Sequence, residues 1–316
     1  MKVVLKDPNT PLKVGKDIVA ADDVFRVYVV RQQKAPWLWV TSRMVTGFVV
    51  ADAIDGVAGW VKEDEVVAFD EAIEYYTDAL NRKPSANAFL RRGFLHETRN
   101  EIDSAIADYN EAIALEPKHA VGYNDRGNAW CAKHDFDKAI ADFDKAIALQ
   151  PKDPLAYNNR GDVWLDKKDY DKAIADFDKA IKLDPKHAVA FANRGIAWHG
   201  KKQYEHAVAD FETALSIDPS SQTAHNALAW LLATCPDDKI RDSDRALEAA
   251  ERACELCDWN DPFCLGSLAA AQADKGDFEE AARRQTKAIA LLTDPENTIS
   301  FARRLAQYRD KKPWRE

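Results

Sequence analysis

The chain has no surplus of positive charge. Its 44 Lys and Arg stand against 53 Asp and Glu, a formal net charge of −9 over 316 residues. Neutralising phosphates needs the opposite balance, so a nucleic-acid partner is not expected. Nor does any stretch approach the roughly 20 apolar residues of a membrane span. The opening MKVVLKDPNTPLKVGKD is interrupted by charges and prolines before it reaches signal-peptide length. The chain as it stands therefore reads as soluble and cytoplasmic, with export left open if a leader once preceded Met1.

The motifs of common enzymes are missing too: GxSxG, GxxxxGK, HExxH and GxGxxG. Without a nucleophile elbow, phosphate loop, zinc helix or dinucleotide loop, the expectation is a protein that is not an enzyme and needs no cofactor or metal. The seven histidines are scattered, with His119 and His187 in equivalent Pro-Lys-His turns. Asp135, Asp137, Asp142 and Asp144 fall on a predicted helix without the glycine and final Glu of a calcium loop. Five cysteines in so long a chain make no disulfide framework. Cys254, Cys257 and Cys264 nonetheless cluster in RACELCDWNDPFC, either as apolar fillers at a helix-turn-helix junction or as a redox or metal site that lacks a fourth ligand.

What the chain has instead is repetition. DFDKAIADFDKAIALQP at 135–151 returns as DYDKAIADFDKAIKLDP at 169–185. Catalytic motifs occur once, whereas stacked units must repeat to bury faces that none can bury alone. A helical Ala recurs at Ala72, Ala105, Ala139, Ala173, Ala207, Ala246 and Ala281, at intervals of 33, 34, 34, 34, 39 and 35. Apolar or aromatic residues three before it, and four and seven after it, make one buried helical stripe. Upstream of each stripe runs a second helix with Gly93, Gly127, Gly161 or Gly195 inside it. A helix-interior Gly costs about 1 kcal/mol relative to Ala, so its recurrence implies close approach of the neighbouring helix. Ala229 and Ala269 hold that place later, and Pro117, Pro151, Pro185 and Pro219 stop the helix pairs.

With Tyr123, Gly127, Trp130, Ala139, Phe143, Ala146 and Pro151 in 120–153, and Tyr157, Gly161, Trp164, Ala173, Phe177, Ala180 and Pro185 in 154–187, the chain resembles the tetratricopeptide repeat. The resemblance covers about 65–295 and implies a mostly α fold: a right-handed α-solenoid of helix hairpins over 68–295. A half-repeat caps it at the N-terminal end, and 296–316 forms a solvating helix and tail. The insertion TCPDDKIRDSD lengthens one inter-helix turn. Residues 1–67 differ. FRVYVV, PWLWVTS and AGWVKEDEVV read as short strands, and the region is similar to bacterial SH3-like barrels, a small all-β domain with Trp37 and Trp39 on one face. The combination resembles multi-repeat proteins of bacteria such as planctomycetes.

Arg92, Arg126, Arg160 and Arg194 stand sixteen residues before Asp108, Asp142, Asp176 and Asp210, which predicts a ladder of bidentate bridges within or between hairpins. The resemblance implies an interaction scaffold whose inner helices line a concave groove, here Arg91, Phe94, Asp125, Asn128, Asn159, Asp162, Asp166, Asn193 and Ile196. The places where chaperone-tail adaptors of this family set clamp cations hold Asn124, Val189 and Asn193, so that function is not carried over. The expected partner is a peptide or protein segment with basic residues, drawn to Asp125, Asp162 and Asp166. The alternative is an exported, envelope-associated protein whose SH3-like domain binds cell-wall or secreted material and whose repeats act as a spacer.

Overall fold

The computed structural model describes residues 68–316, apart from the side chain of Phe69, and for parts of 1–67 the backbone of short antiparallel strands alone. The expected SH3-like barrel, with the surface role of Trp37 and Trp39, lies outside the described side chains. From residue 72 the chain is helical. The helices are α1 (Ala72–Arg82), α2 (Ala86–Thr98), α3 (Ile102–Leu115), α4 (Ala120–Ala132), α5 (Phe136–Leu149), α6 (Pro154–Asp166) and α7 (Tyr170–Leu183). They continue as α8 (Ala188–Gly200), α9 (Tyr204–Ile217), α10 (Gln222–Thr234), α11 (Ser243–Leu256), α12 (Pro262–Asp274), α13 (Phe278–Leu291) and α14 (Pro295–Arg309). Two compact units divide them, Met1–Pro151 and Lys152–Glu316.

Each hairpin pairs an even-numbered helix with the odd-numbered one after it. The turn is built alike in α4/α5, α6/α7 and α8/α9. In the first, His134 N–H donates to Cys131 O (2.8 Å) and Asp135 N–H to Trp130 O (2.9 Å), with His134 at φ 57°. These two bonds satisfy carbonyls that the helix end would leave bare. Asp135 then starts the next helix, its side chain accepting from Lys138 N–H. Asn100, Lys168 and Lys202 take the same left-handed conformation, φ 57–61°, and only Gly276 in α12/α13 is a glycine. For the other four, side chains sit where L-residues pay about 1 kcal/mol.

Helix pairs close on their small residues. A Cβ on Gly93, Gly127, Gly161 or Gly195 would lie 2.6–2.7 Å from the ring of Tyr109, Phe143, Phe177 or Phe211. All four rings are essentially solvent-free. Where Ala229 and Ala269 replace the glycine, the facing ring is gone as well, replaced by Ala250 and Gln285. Smallness is thus required by the ring rather than by the helix.

The arginine ladder forms, and each rung lies within one hairpin. Arg92 reaches both Asp108 oxygens at 2.8 and 2.6 Å, and Arg126–Asp142, Arg160–Asp176 and Arg194–Asp210 repeat this geometry. The Asp side chains are 6–9% exposed. A third nitrogen reaches back to the preceding second helix: Arg92 to Thr77, Arg126 to Asn110 and Arg194 to Asp178. The ladder therefore joins consecutive repeats as well as the two halves of one.

At the N-terminal end α1 packs Ala72 and Tyr76 against Leu95 of α2. At the other end α14 begins at Pro295 and buries Phe301, Leu305 and Tyr308. The insertion after α10 folds back on itself: Arg241 donates to Cys235 O (2.8 Å) and Asp242 N–H to Leu232 O (3.1 Å). Cys254 and Cys264 are buried in the apolar cluster of α11 and α12, with burial pushing both thiols up.

Candidate functional site

Most of the expected groove residues fall on two recurring positions of the first helices. Arg91, Asp125, Asn159 and Asn193 share one, and Phe94, Asn128, Asp162 and Ile196 the other, three residues further on. A third step of three along the same helical face reaches Glu97, Cys131, Leu165 and His199.

In the first unit these positions are occupied by packing and by an acidic pair. Arg91 is buried and donates to Asn87 Oδ1 at 3.1 Å. Phe94 packs beside Ala72, Tyr76 and Leu95. Asp125 is pushed up to about 7, by burial first and by the charge of Glu97 second, against a bond from Asn124. Burial likewise raises Glu97, while the Tyr109 hydroxyl, donating to it at 2.8 Å, opposes the shift.

In the second unit the face opens into a cleft of about 400 Å³ between α6 and α8. It brings together Asp162 and Asp166 from α6 with Asn193 and Ile196 from α8. Leu165, Lys168, Tyr170, His199 and Gly200 complete the lining, none of them among the expected site residues. Asp162 and Asp166 sit one turn apart and so project to the same side. Burial pushes Asp162 up to about 6, and the charge of Asp166 adds to it. The Asn193 side-chain N–H donates to Asp162 Oδ1 at 3.3 Å, and Ile196 also packs toward the α9–α10 core. Asn159 accepts a long bond from Asn158, at 3.5 Å.

Leu165 and His199 were legible in principle, because they continue the i, i+3 series that marks Asp162 and Ile196. They escape a search for repetition because that column reads Glu, Cys, Leu and His.

The cleft thus holds two close carboxylates, an amide and an apolar wall, with Lys168 also on its lining. Among the described residues no group of three or more His, Cys, Asp or Glu is arranged to hold a metal ion. No described helix is long and apolar enough to cross a membrane.

The sequence matches the tetratricopeptide repeat family over residues 69–120 and 124–188, and again over 189–221. These residues carry tetratricopeptide repeats. Among solved structures, the chain is similar to the APC/C hetero-tetramer Cut9–Hcn1, at 16% identity and TM-score 0.66 over 75% of this chain and 46% of that one. It is also similar to PilW, a type IV pilus biogenesis factor, at 18% identity and TM-score 0.59 over 69% and 98%. Yeast Tom70 gives 17% identity and TM-score 0.55 over 76% and 50%. The chain thus spans about half the length of Cut9–Hcn1 and Tom70, and the likeness is one of fold. No curated protein sequence matches the chain.

Proposed function

We propose that the chain is a protein-interaction scaffold that binds an extended or helical peptide segment carrying at least one Lys or Arg, without catalysis. The observation that carries this reading is the pairing of Asp162 and Asp166 in one cleft, where burial and mutual charge hold Asp162 up to about 6. Two carboxylates kept close at an energetic cost are relieved by a cation from a partner. Asp125 beside Glu97 repeats that chemistry in the first unit. Asn159 and Asn193 supply amides able to bridge a peptide backbone.

The test is capture from an array of 12-residue peptides that vary in Lys and Arg content. The unmodified chain should retain basic peptides, and more so at low salt. Replacing Asn159 and Asp162 together by Ala should cut retention while helicity and melting stay close to those of the parent. Equal retention by the double variant at low and high salt would refute the reading.

A further inference from the structure

The segment after α14 does more than cover an end. Lys312 N–H donates to Gln307 O and turns the chain back over the first helices of the second unit. Three consecutive side chains then lodge in three different settings. Trp314 packs against the cluster of Ala269, Ala273, Ala281 and Tyr308. Arg315 donates to Asp274 Oδ1 at 2.5 Å and to Ala233 O at 3.1 Å, a carbonyl in the last turn of α10. Glu316 donates its own N–H to Thr234 O at 3.2 Å. Its carboxylate accepts from the Trp230 indole N–H at 2.6 Å and stands 2.7 Å from His199 Nε2.

The surface beneath is chemically matched to what sits on it. Asp274, 9% exposed, faces a guanidinium at the carbonyl end of α10, where a helix dipole favours a cation. The Glu316 carboxylate meets two nitrogen-bearing rings, with Arg304 close by. Burial alone would raise this carboxyl, yet the bonds and charges of His199, Trp230 and Arg304 hold it below its ordinary value. Arg304 itself is stacked 4.5 Å from the Trp230 ring, with its Nε lacking a hydrogen-bond partner. A simple cap would need only Trp314. The charged residues engage backbone carbonyls and ring donors as a bound peptide does.

His199 links this surface to the cleft, since the same side chain that meets Glu316 also lines the space holding Asp162 and Asp166. We infer that His199, Trp230, Asp274 and Arg304 form a subsite for a peptide of aromatic–arginine–acidic sequence, occupied in cis by Trp314–Glu316, and that a partner peptide of that chemistry takes it by displacing this tail. This rests on the reading that the face binds peptides. It adds a carboxylate-recognising subsite to the cation-recognising one, so the partner presents both charges in sequence.

The experiment uses an amidated, fluorescein-labelled peptide of residues 311–316, KKPWRE, read by anisotropy. The chain carrying Trp314→Ala, Arg315→Ala and Glu316→Gln vacates all three positions and should bind the peptide at least tenfold more tightly than the unmodified chain. A peptide ending in Gln in place of Glu should lose most of that gain. In the unmodified chain, saturating peptide should accelerate tryptic cleavage after Lys311 several-fold, a measurement that needs no variant. Equal affinity for both chains and unchanged cleavage would make the tail a structural cap and overturn the inference. So would concentration-dependent dimerisation with a tail that peptide does not release, which would assign the subsite to a second copy. Capture of basic peptides through Asp162 is scored separately, so either reading can fail while the other stands.

Discussion

Gly161 of α6 faces the ring of Phe177 of α7 so closely that a Cβ there would lie 2.7 Å from ring carbon Cε1. No real side chain tolerates that distance, and the ring is wholly buried, with no room to retreat. Gly161→Ala should therefore destabilise the fold by about 1–3 kcal/mol through overpacking, despite the roughly 1 kcal/mol that Ala gains over Gly in a helix. In a Phe177→Ala background the clash is gone and the same substitution should stabilise. Urea unfolding of the four chains checks this reversal of sign, and a Gly161→Ala effect of the same sign in both would disprove the ring as its cause. The chain already contains the combination in Ala229 with Ala250.

The Arg126–Asp142 rung supports a second prediction. Asp142 is nearly buried and accepts both of its hydrogen bonds from one guanidinium. Asp142→Ala leaves a half-buried Arg126 bonded to Asn110 alone of its hydrogen-bond acceptors described above, and should cost about 2–3 kcal/mol. Replacing both residues, Arg126→Met with Asp142→Leu, should recover most of that loss, because no charge is then left unpaired. A double variant as unstable as the single one would mean that the rung holds geometry that apolar contact cannot.

The ladder and the glycine contacts were legible because both depend on fixed offsets. A spacing of sixteen between Arg and Asp, repeated four times, has one economical explanation in a hairpin of constant turn length. The helix pairs themselves follow from the same register. The turns were less legible, since Asn100, His134, Lys168 and Lys202 occupy the left-handed position that a glycine would have advertised. Glu97 and His199 were hidden for a different reason. The face proposed to bind is free to differ at each repeat, so its third column carries no period to detect. The tail contacts of Arg315 and Glu316 span 41 and 117 residues to Asp274 and His199, a separation that no local pattern encodes.

Lys202 gives the third prediction. Its φ of 60° closes the α8/α9 turn, with its N–H bonded to His199 O at 2.8 Å. Glycine takes this conformation without the Cβ clash, as Gly276 does in the α12/α13 turn. Lys202→Gly should raise the stability by about 0.5–1 kcal/mol, part of the steric gain being lost to the freer unfolded chain. Thermal melts decide it, and a lower melting temperature would show that the Lys202 side chain contributes more than its backbone costs.

The last prediction concerns protons in the cleft. Burial and the neighbouring Asp166 charge raise Asp162 from 3.8 to about 6 in the folded chain. The folded state therefore holds this proton more tightly than the unfolded state does. The stabilisation so gained is fully present below about pH 4 and lost as pH rises through about 6. Peptide binding runs the other way. A Lys or Arg set against Asp162 favours the ionised form, so complex formation near pH 5 must release a proton, whereas near pH 7 the carboxylate is already charged. Affinity for a basic peptide should accordingly rise about tenfold from pH 5 to pH 7. Calorimetry in two buffers of different ionisation enthalpy should report close to one proton released per peptide at the lower pH. Asp166, Lys168, Tyr170 and His199 face the same cleft. Asp162→Asn removes the carboxyl and leaves those four side chains in place. A pH dependence that persists in that variant refutes its assignment to Asp162.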